Sequence, residues 1–385
     1  MDLGAIERVW RRNWMAAIGA LSSGERVATL PAPGTRGLRV LFMRAQGIGD
    51  LILATGVLRA IAESRDALAL DVLTTSAAAP VLDGNPHVRH VHLLQRTSRR
   101  YLELARTVRR ARYDVIVDGK ITRGASFVRS PLLAMIARAS YRVGVGGGNH
   151  ALVYNVCVPR FDRTSTHMVE GSALLAIPFG ARTAAASPRP ELFLSGEERR
   201  WAENAWRHAA SERGTHGRRW LVNLSVGKAP RRWPTDRWIA LLRHLRAQRP
   251  HDTIAVIGVA SEWSDVQRAA HEGAACPVPA PRLRDAFALV GTSERVLTSD
   301  TSITHAASAF RIPIVVMLER GLDQWAPWNT PCEIAYWTGS TVSALSVDDA
   351  VGALDRFLLA HPEPSADTHH PALSLASSAS YPLSR

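Results

Sequence analysis

From residue 38 onward the chain alternates short, uniformly apolar runs with longer stretches in which apolar residues recur every three or four positions. The runs LRVLFM (38–43), LDVLT (70–74), VRHVHLL (88–94), YDVIVDG (113–119) and YRVGV (141–145) predict buried strands, and amphipathic segments between most of them predict helices. Strands that are apolar on both faces and separated by helices form parallel βαβ units covered on both sides. A helical stretch around HMVEGSALLAI (167–177) leads into ASPRPELFLSGEERRW (186–201), whose proline and polar content marks a domain junction. The alternation then restarts. RWLVNLS (219–225), DTIAVIGV (252–259), SERVLTSD (293–300) and IPIVVML (312–318) predict strands, with helices over 235–247, 262–272, 283–291 and 302–310. The expected fold is therefore α/β with two Rossmann-like, doubly wound domains, 37–185 and 186–345. A last helix over 346–360 follows, and then a proline- and serine-rich tail, 361–385, that cannot bury a core and is expected to be disordered.

A length of 385 residues fits two ordinary domains. The net charge of +13 is almost all arginine, Lys120 and Lys228 being the lysines, and it draws the chain toward phosphates, acidic sugars or an anionic membrane face. No RNA- or DNA-binding motif accompanies it, so nucleic acid is not an expected partner. Cys157, Cys276 and Cys332 lie far apart and match neither a disulfide framework nor a CxxC pair, as in proteins of reducing compartments. No apolar run reaches the roughly 18 residues of a membrane span, and arginines interrupt the N-terminus, which makes a poor signal peptide. A cytoplasmic location is expected. Within an N-terminal extension, 1–36, residues 2–21 place Ile6, Val9, Trp10, Trp14, Ile18 and Leu21 at helical spacing among Arg8, Arg11 and Arg12. Such a basic amphipathic helix either lies on an anionic inner-membrane surface or packs on the protein's own flank.

Open α/β sheets bind ligands at the carboxyl ends of their strands, which directs attention to QGIGD (46–50) after the first strand. A dinucleotide fingerprint would need a third glycine where Ile52 stands, and the GK[ST] ending of a phosphate-binding Walker loop is absent. Asp50 is of helix-capping type, which alone could explain it, yet the same position suits a carboxylate that accepts a proton from a hydroxyl. In the second half, SVGKAPRRWPTDRW (225–238) clusters Lys228, Arg231 and Arg232 ahead of a helix with Thr235 as its capping candidate. This is either a pyrophosphate site or a solvated basic loop. VLTSDTSITHAASA (296–309) ends a strand with Asp300, Thr301 and Ser302 and opens a helix carrying His305 among alanines. Hydroxyls and exposed N–H groups at that helix start suit a second diphosphate contact, while a lone histidine among alanines reads equally as a core residue.

Taken in order, Arg44 with GIGDLILATGVLRAI (47–61), HMVEGSALLA (167–176), RRWPTDRWIALLRHL (231–245), SDTSITHAASAFRIPIVV (299–316) and WAPW (325–328) resemble glycosyltransferase family 9, the ADP-heptose:lipopolysaccharide heptosyltransferases. The resemblance implies a GT-B fold, two Rossmann-like domains facing across a cleft. It also implies an inverting, metal-independent transfer of heptose from ADP-heptose, a substrate rather than a cofactor, to a hydroxyl of a lipopolysaccharide core or another lipid-linked or surface glycan. On that resemblance Asp50 is the general base. Gly49, Lys228, Arg231, Asp300, Thr301, Ser302 and His305 bind the nucleotide-sugar donor, and Arg44, Lys120 and Arg123 are expected on the acceptor side. The family usually has lysine at Arg231, glycine at Ser302 and Gly-Pro at Leu318-Glu319. These departures keep open a transferase using another nucleotide sugar, and a rival of a different class is a non-catalytic nucleotide-sugar or glycan-binding protein of the same fold. His167 and Glu170 match the HMVE segment, and the sequence suggests no role for them.

Overall fold

The computed structural model describes residues 27, 29–30, 37–45, 47–94, 97–121, 129–146, 153–162, 164–181, 188–227 and 229–362. The helix expected at 2–21, the tail from 363, Arg123 and Lys228 lie outside the described residues.

Two parallel six-stranded sheets form among these residues. The first contains β1 (Arg39–Met43), β2 (Ala69–Thr74), β3 (His90–Leu93), β4 (Val115–Asp118), β5 (Tyr141–Val145) and β6 (Val156–Val158), ordered 3-2-1-4-5-6. The second contains β7 (Arg219–Asn223), β8 (Thr253–Ile257), β9 (Cys276–Pro277), β10 (Arg295–Ser299), β11 (Ile314–Glu319) and β12 (Cys332–Trp337), ordered 12-11-10-7-8-9. Counted from its own first strand, the second order repeats the first. Each sheet reverses its winding beside that strand, between β1 and β4 and between β7 and β10, and such a switch point opens a crevice at the strands' carboxyl ends.

Burial explains the uniform apolar runs. Val40 and Phe42 of β1 enter one core with Leu51 and Val57 of α1 (Ile48–Ala62). Leu41 and Met43 enter another, with Leu104 and Val108 of α2 (Ser98–Arg110) and Leu133 of α3 (Arg129–Ala137). Because helices cover both faces, neither face needs polar residues. The first of these cores continues through Ile303 and Ala306 into the second half, so the two sheets share apolar packing instead of meeting through a wet interface.

The second half carries α5 (Gly196–Arg213), α6 (Thr235–Gln248), α7 (Trp263–Glu272), α8 (Leu283–Thr292), α9 (Ser302–Phe310) and α10 (Val347–Ala360), after α4 (Met168–Ala173) closes the first. Three edge strands, β6, β9 and β12, were not anticipated, nor was α5, which begins inside the proline-rich junction. Its fully buried positions are Ala202, Trp206 and Ala209, with Trp201 and Ala205 partly buried beside them, a stripe mostly of alanines among charged residues, and Ser195 with Glu198 caps its start. The helix expected over 167–177 is shorter, giving way at Leu174 to a 3-10 segment that contains Pro178.

The junction lies against α1. The Glu191 amide donates to Thr55 Oγ1 at 2.7 Å, and Arg59 donates to the Glu191 carboxylate at 2.5 Å. A Cβ on Gly56 would stand 2.5 Å from the Arg189 carbonyl oxygen, so only glycine lets the linker cross there. Buried Arg284 of α8 donates to Glu198, to the Phe193 carbonyl and, across the halves, to the Pro80 carbonyl at 3.1 Å.

Candidate active site

The first crevice is organised around an arginine. Directly after β1, Arg44 turns beneath the loop and is only 1% exposed. Its Nη2 donates to Asp50 Oδ1 at 2.8 Å and its Nη1 donates to the Gly119 carbonyl beyond β4, while its own amide donates to Leu73 O at 2.8 Å. The Arg44 side chain is thus engaged by the turn and the neighbouring strand rather than standing at the crevice surface. Asp50 lies in front of it with its side chain 21% exposed. The capping expectation needs correction: Gly47 is the N-cap of α1, no side chain caps it, and Asp50 sits in the first helical turn, where the helix dipole still favours a negative charge.

Behind this pair, Asp118 closes β4 and is buried. It accepts a hydrogen bond from the Tyr154 hydroxyl and another from the Lys120 amide at 3.0 Å, and burial holds its carboxyl above the usual carboxylate range. Burial likewise lowers the Lys120 ammonium. Neither Asp118 nor Tyr154 was singled out from sequence. The available signal was a carboxylate ending the apolar run YDVIVDG at a switch-point strand.

The second crevice inverts this arrangement. Asp300 follows β10, its amide donating to Met317 O at 3.0 Å, and its carboxylate pairs with Arg231 at 2.7 Å. Here the aspartate side chain is 11% exposed and the arginine 31%. Thr301 caps α9 by accepting the Ile303 amide at 3.2 Å, and Thr304 returns the contact to the Thr301 amide at 3.4 Å. Asn223, at the end of β7, fixes this corner from below through Thr298 at 2.9 Å and Thr301 at 3.4 Å. Thr235, by contrast, is not a cap: α6 begins at Thr235 behind Pro234, with no side-chain cap bond.

The two crevices meet where α1 packs on α9. A Cβ on Gly49 would lie 2.5 Å from His305 Cδ2 and 3.7 Å from the Ser302 Cα, so the glycine permits helix-to-helix contact one residue before Asp50. His305 is buried with Nδ1 unpartnered, and burial, reinforced by the charges of His167 and Arg231, depresses it to about 3. It is therefore neutral at pH 7. His167 caps α4 by accepting the Val169 amide on Nδ1 at 3.2 Å, which leaves its Nε2–H to donate to Ala326 O at 2.9 Å. Its ring stacks on Trp328 at 4.5 Å, and Glu170 accepts the His167 amide at 3.1 Å. The HMVE and WAPW segments are thus two sides of one tie between the halves. Glu319 ends β11, and Arg320 lies 4.7 Å over the Tyr336 ring rather than against it.

Among the described residues, no group of three His, Cys, Asp or Glu side chains is placed to hold a metal ion, and no helix is long and apolar enough to cross a membrane. Chemically, the seam offers a partly exposed carboxylate on one side and a partly exposed guanidinium with a helix N-terminus on the other. These suit removal of a hydroxyl proton and support of an anionic leaving group.

The model of Glycosyltransferase family 9 (heptosyltransferase) matches residues 101–331. Among solved structures, the family 9 glycosyl transferase from Veillonella parvula DSM 2008 superposes with a TM-score of 0.68 at 16% identity, covering 86% of this chain and 99% of that one. The E. coli ADP-heptose lps heptosyltransferase II gives 0.63 at 18% identity, with 84% and 99% covered. E. coli heptosyltransferase WaaC with ADP-2-deoxy-2-fluoro heptose gives 0.61 at 17% identity, with 84% and 100% covered. A search of curated proteins finds no match. Two parallel sheets of the same winding, joined at the carboxyl ends of their central strands, make a GT-B fold, and with more than half its length matched the chain belongs to glycosyltransferase family 9.

Proposed function

We propose that this chain transfers a heptose from ADP-heptose, with inversion and without a metal ion, to a sugar hydroxyl of a lipopolysaccharide core or another lipid-linked surface glycan. The observation that carries the reading is the seam itself. Asp50 stands one residue from Gly49, and Gly49 touches His305 and Ser302 in the first turns of α9.

In this mechanism Asp50 accepts the acceptor's hydroxyl proton as that oxygen bonds to the anomeric carbon. The bond from that carbon to the diphosphate oxygen breaks on the opposite face, and its electron pair leaves with ADP. Negative charge grows on the diphosphate, where Arg231 and the N–H groups opening α9 lower its energy. Lys228 would add a second cation. Arg44 acts on the base alone, holding one carboxylate oxygen so that the other faces the crevice. That a relative at 17% identity was solved with ADP-2-deoxy-2-fluoro heptose supports the donor class.

A second reading, transfer of a different sugar, is favoured by Ser302 and by Leu318-Glu319, which alter the donor side of the crevice and leave Asp50 untouched. A panel of nucleotide sugars, scored first for binding and then for nucleotide release with a glycan acceptor, separates these readings. Release from ADP-heptose above all others is the expected result. Preference for another donor would select the second reading, and binding of every donor without turnover would show a non-catalytic protein.

A further inference from the structure

The first half also carries a charge concentration unrelated to the crevice. Residues 98–112 contain six arginines against one glutamate, five of the thirteen net positive charges in about a twenty-fifth of the chain. The structure sorts these residues by face. Tyr101, Leu104, Ala105 and Val108 of α2 are buried, which turns Arg99, Arg106 and Arg110 outward along one ridge, with Arg109 and Leu102 on its flank. Among the described residues, the ion pair on this helix is Arg99 with Glu103, and Arg99 remains 92% exposed. Leu102, 51% exposed, is one of five large apolar side chains left in solvent among the described residues.

We infer that the outer face of α2 is a docking surface for an anionic lipid bilayer. Guanidinium groups on one ridge match a plane of lipid phosphates, and each basic residue near such a surface adds to the attraction. A nucleic acid would use the same charge, but it gains nothing from an exposed leucine, and no exposed aromatic ring stands on this helix to stack on a base. A leucine beside the arginine ridge fits an interface in which an apolar side chain enters the acyl boundary while charged heads stay at the phosphates. The placement is also consistent with use. α2 starts from the carboxyl end of β3, the same end of the parallel sheet as the Asp50 turn, and covers the face opposite α1, so a bilayer on its outer side would leave the seam of α1 with α9 uncovered. The inference rests on the proposed membrane-borne acceptor only for its purpose, because vesicle binding is measured without turnover.

The experiment uses the full chain and sedimentation with phosphatidylcholine vesicles, with and without phosphatidylglycerol. The parent chain is expected to bind only the anionic vesicles and to be released by salt. Replacing three arginines (Arg99→Gln, Arg106→Gln, Arg110→Gln) keeps good helix formers on an exposed face and is expected to weaken that binding about a hundredfold. Leu102→Gln is expected to weaken it about tenfold. An unchanged thermal midpoint certifies the fold, and the double variant Arg106→Gln/Arg110→Gln serves if the triple does not fold. Equal vesicle affinity of parent and variant would overturn the inference, as would equal binding to neutral vesicles. Tighter binding of the parent to a duplex oligonucleotide than to anionic vesicles would overturn it in favour of nucleic acid.

Discussion

The turn after β1 and the turn after β10 each border the switch point of their sheet, from opposite sides because β10 matches β4 in the repeated winding, and each is built on an arginine–aspartate pair, 2.8 Å long in the first and 2.7 Å in the second. What differs is which partner is buried. In the first turn the arginine is 1% exposed and the aspartate 21%; in the second the aspartate is 11% exposed and the arginine 31%. A buried ion holds and orients its partner, so one fold presents a carboxylate from its first half and a guanidinium from its second. The same strand order thereby supplies opposite chemistry at two switch points, decided by whether the buried member of the pair comes straight after the strand as Arg44 or as Asp300.

The largest effect should come from removing the presented carboxylate. Asp50→Ala is expected to lower turnover about a thousandfold, within the range a general base contributes, with ADP affinity unchanged. Next, Arg231→Ala should weaken ADP binding by about ten- to a hundredfold in a titration, the value of hydrogen bonds to a charged group. Arg44→Lys keeps the charge but replaces a two-armed donor by a single point, so it can serve Asp50 or Gly119 O but not both. Turnover should fall about tenfold while the KM for donor holds. A fall in donor affinity instead would show that Arg44 contacts substrate. Gly49→Ala forces a methyl into the His305 ring and should cost about 1–3 kcal/mol, read as a lowered thermal midpoint.

A separate effect concerns pH. His305 titrates near 3 in the fold against about 6.5 when unfolded, so the unfolded chain binds the extra proton first. Its contribution is complete above pH 6.5 and declines as pH falls toward 3. The difference in stability between parent and His305→Gln should therefore change across that window and stay flat above it. A flat difference throughout would show that His305 is not buried neutral at the seam.

Much of this was legible in the sequence because the central strands are buried on both faces and read as apolar runs; β5 spans the very residues, 141–145, that the pattern marks. The edges were not. β9 is two residues long and β6 three, too short to carry a period, and the stripe of α5 is made mostly of alanines among charged residues inside a proline-rich junction. At the candidate site, residue type and position are what single out Asp50, Arg231, Asp300 and His305. The partnerships did not follow from them. Arg44 contacts Asp50 six positions away across a turn and Gly119 seventy-five away, and a contact of that kind leaves no trace in local spacing. For the same reason the contact of Arg44 with Asp50 was not anticipated, and His167 was left without a role until Ala326 and Trp328 stood beside it.

The central claim is that burial assigns the two aspartates different work, and a crossover on matched preparations tests it: ADP affinity and single-turnover transfer, each measured for Asp50→Asn and Asp300→Asn. The expected result is a clean exchange, with Asp50→Asn binding ADP as the parent does and failing to transfer, and Asp300→Asn losing ADP affinity because Arg231 is no longer held. Loss of ADP affinity in Asp50→Asn, or transfer near the parent rate in that variant, would contradict the account.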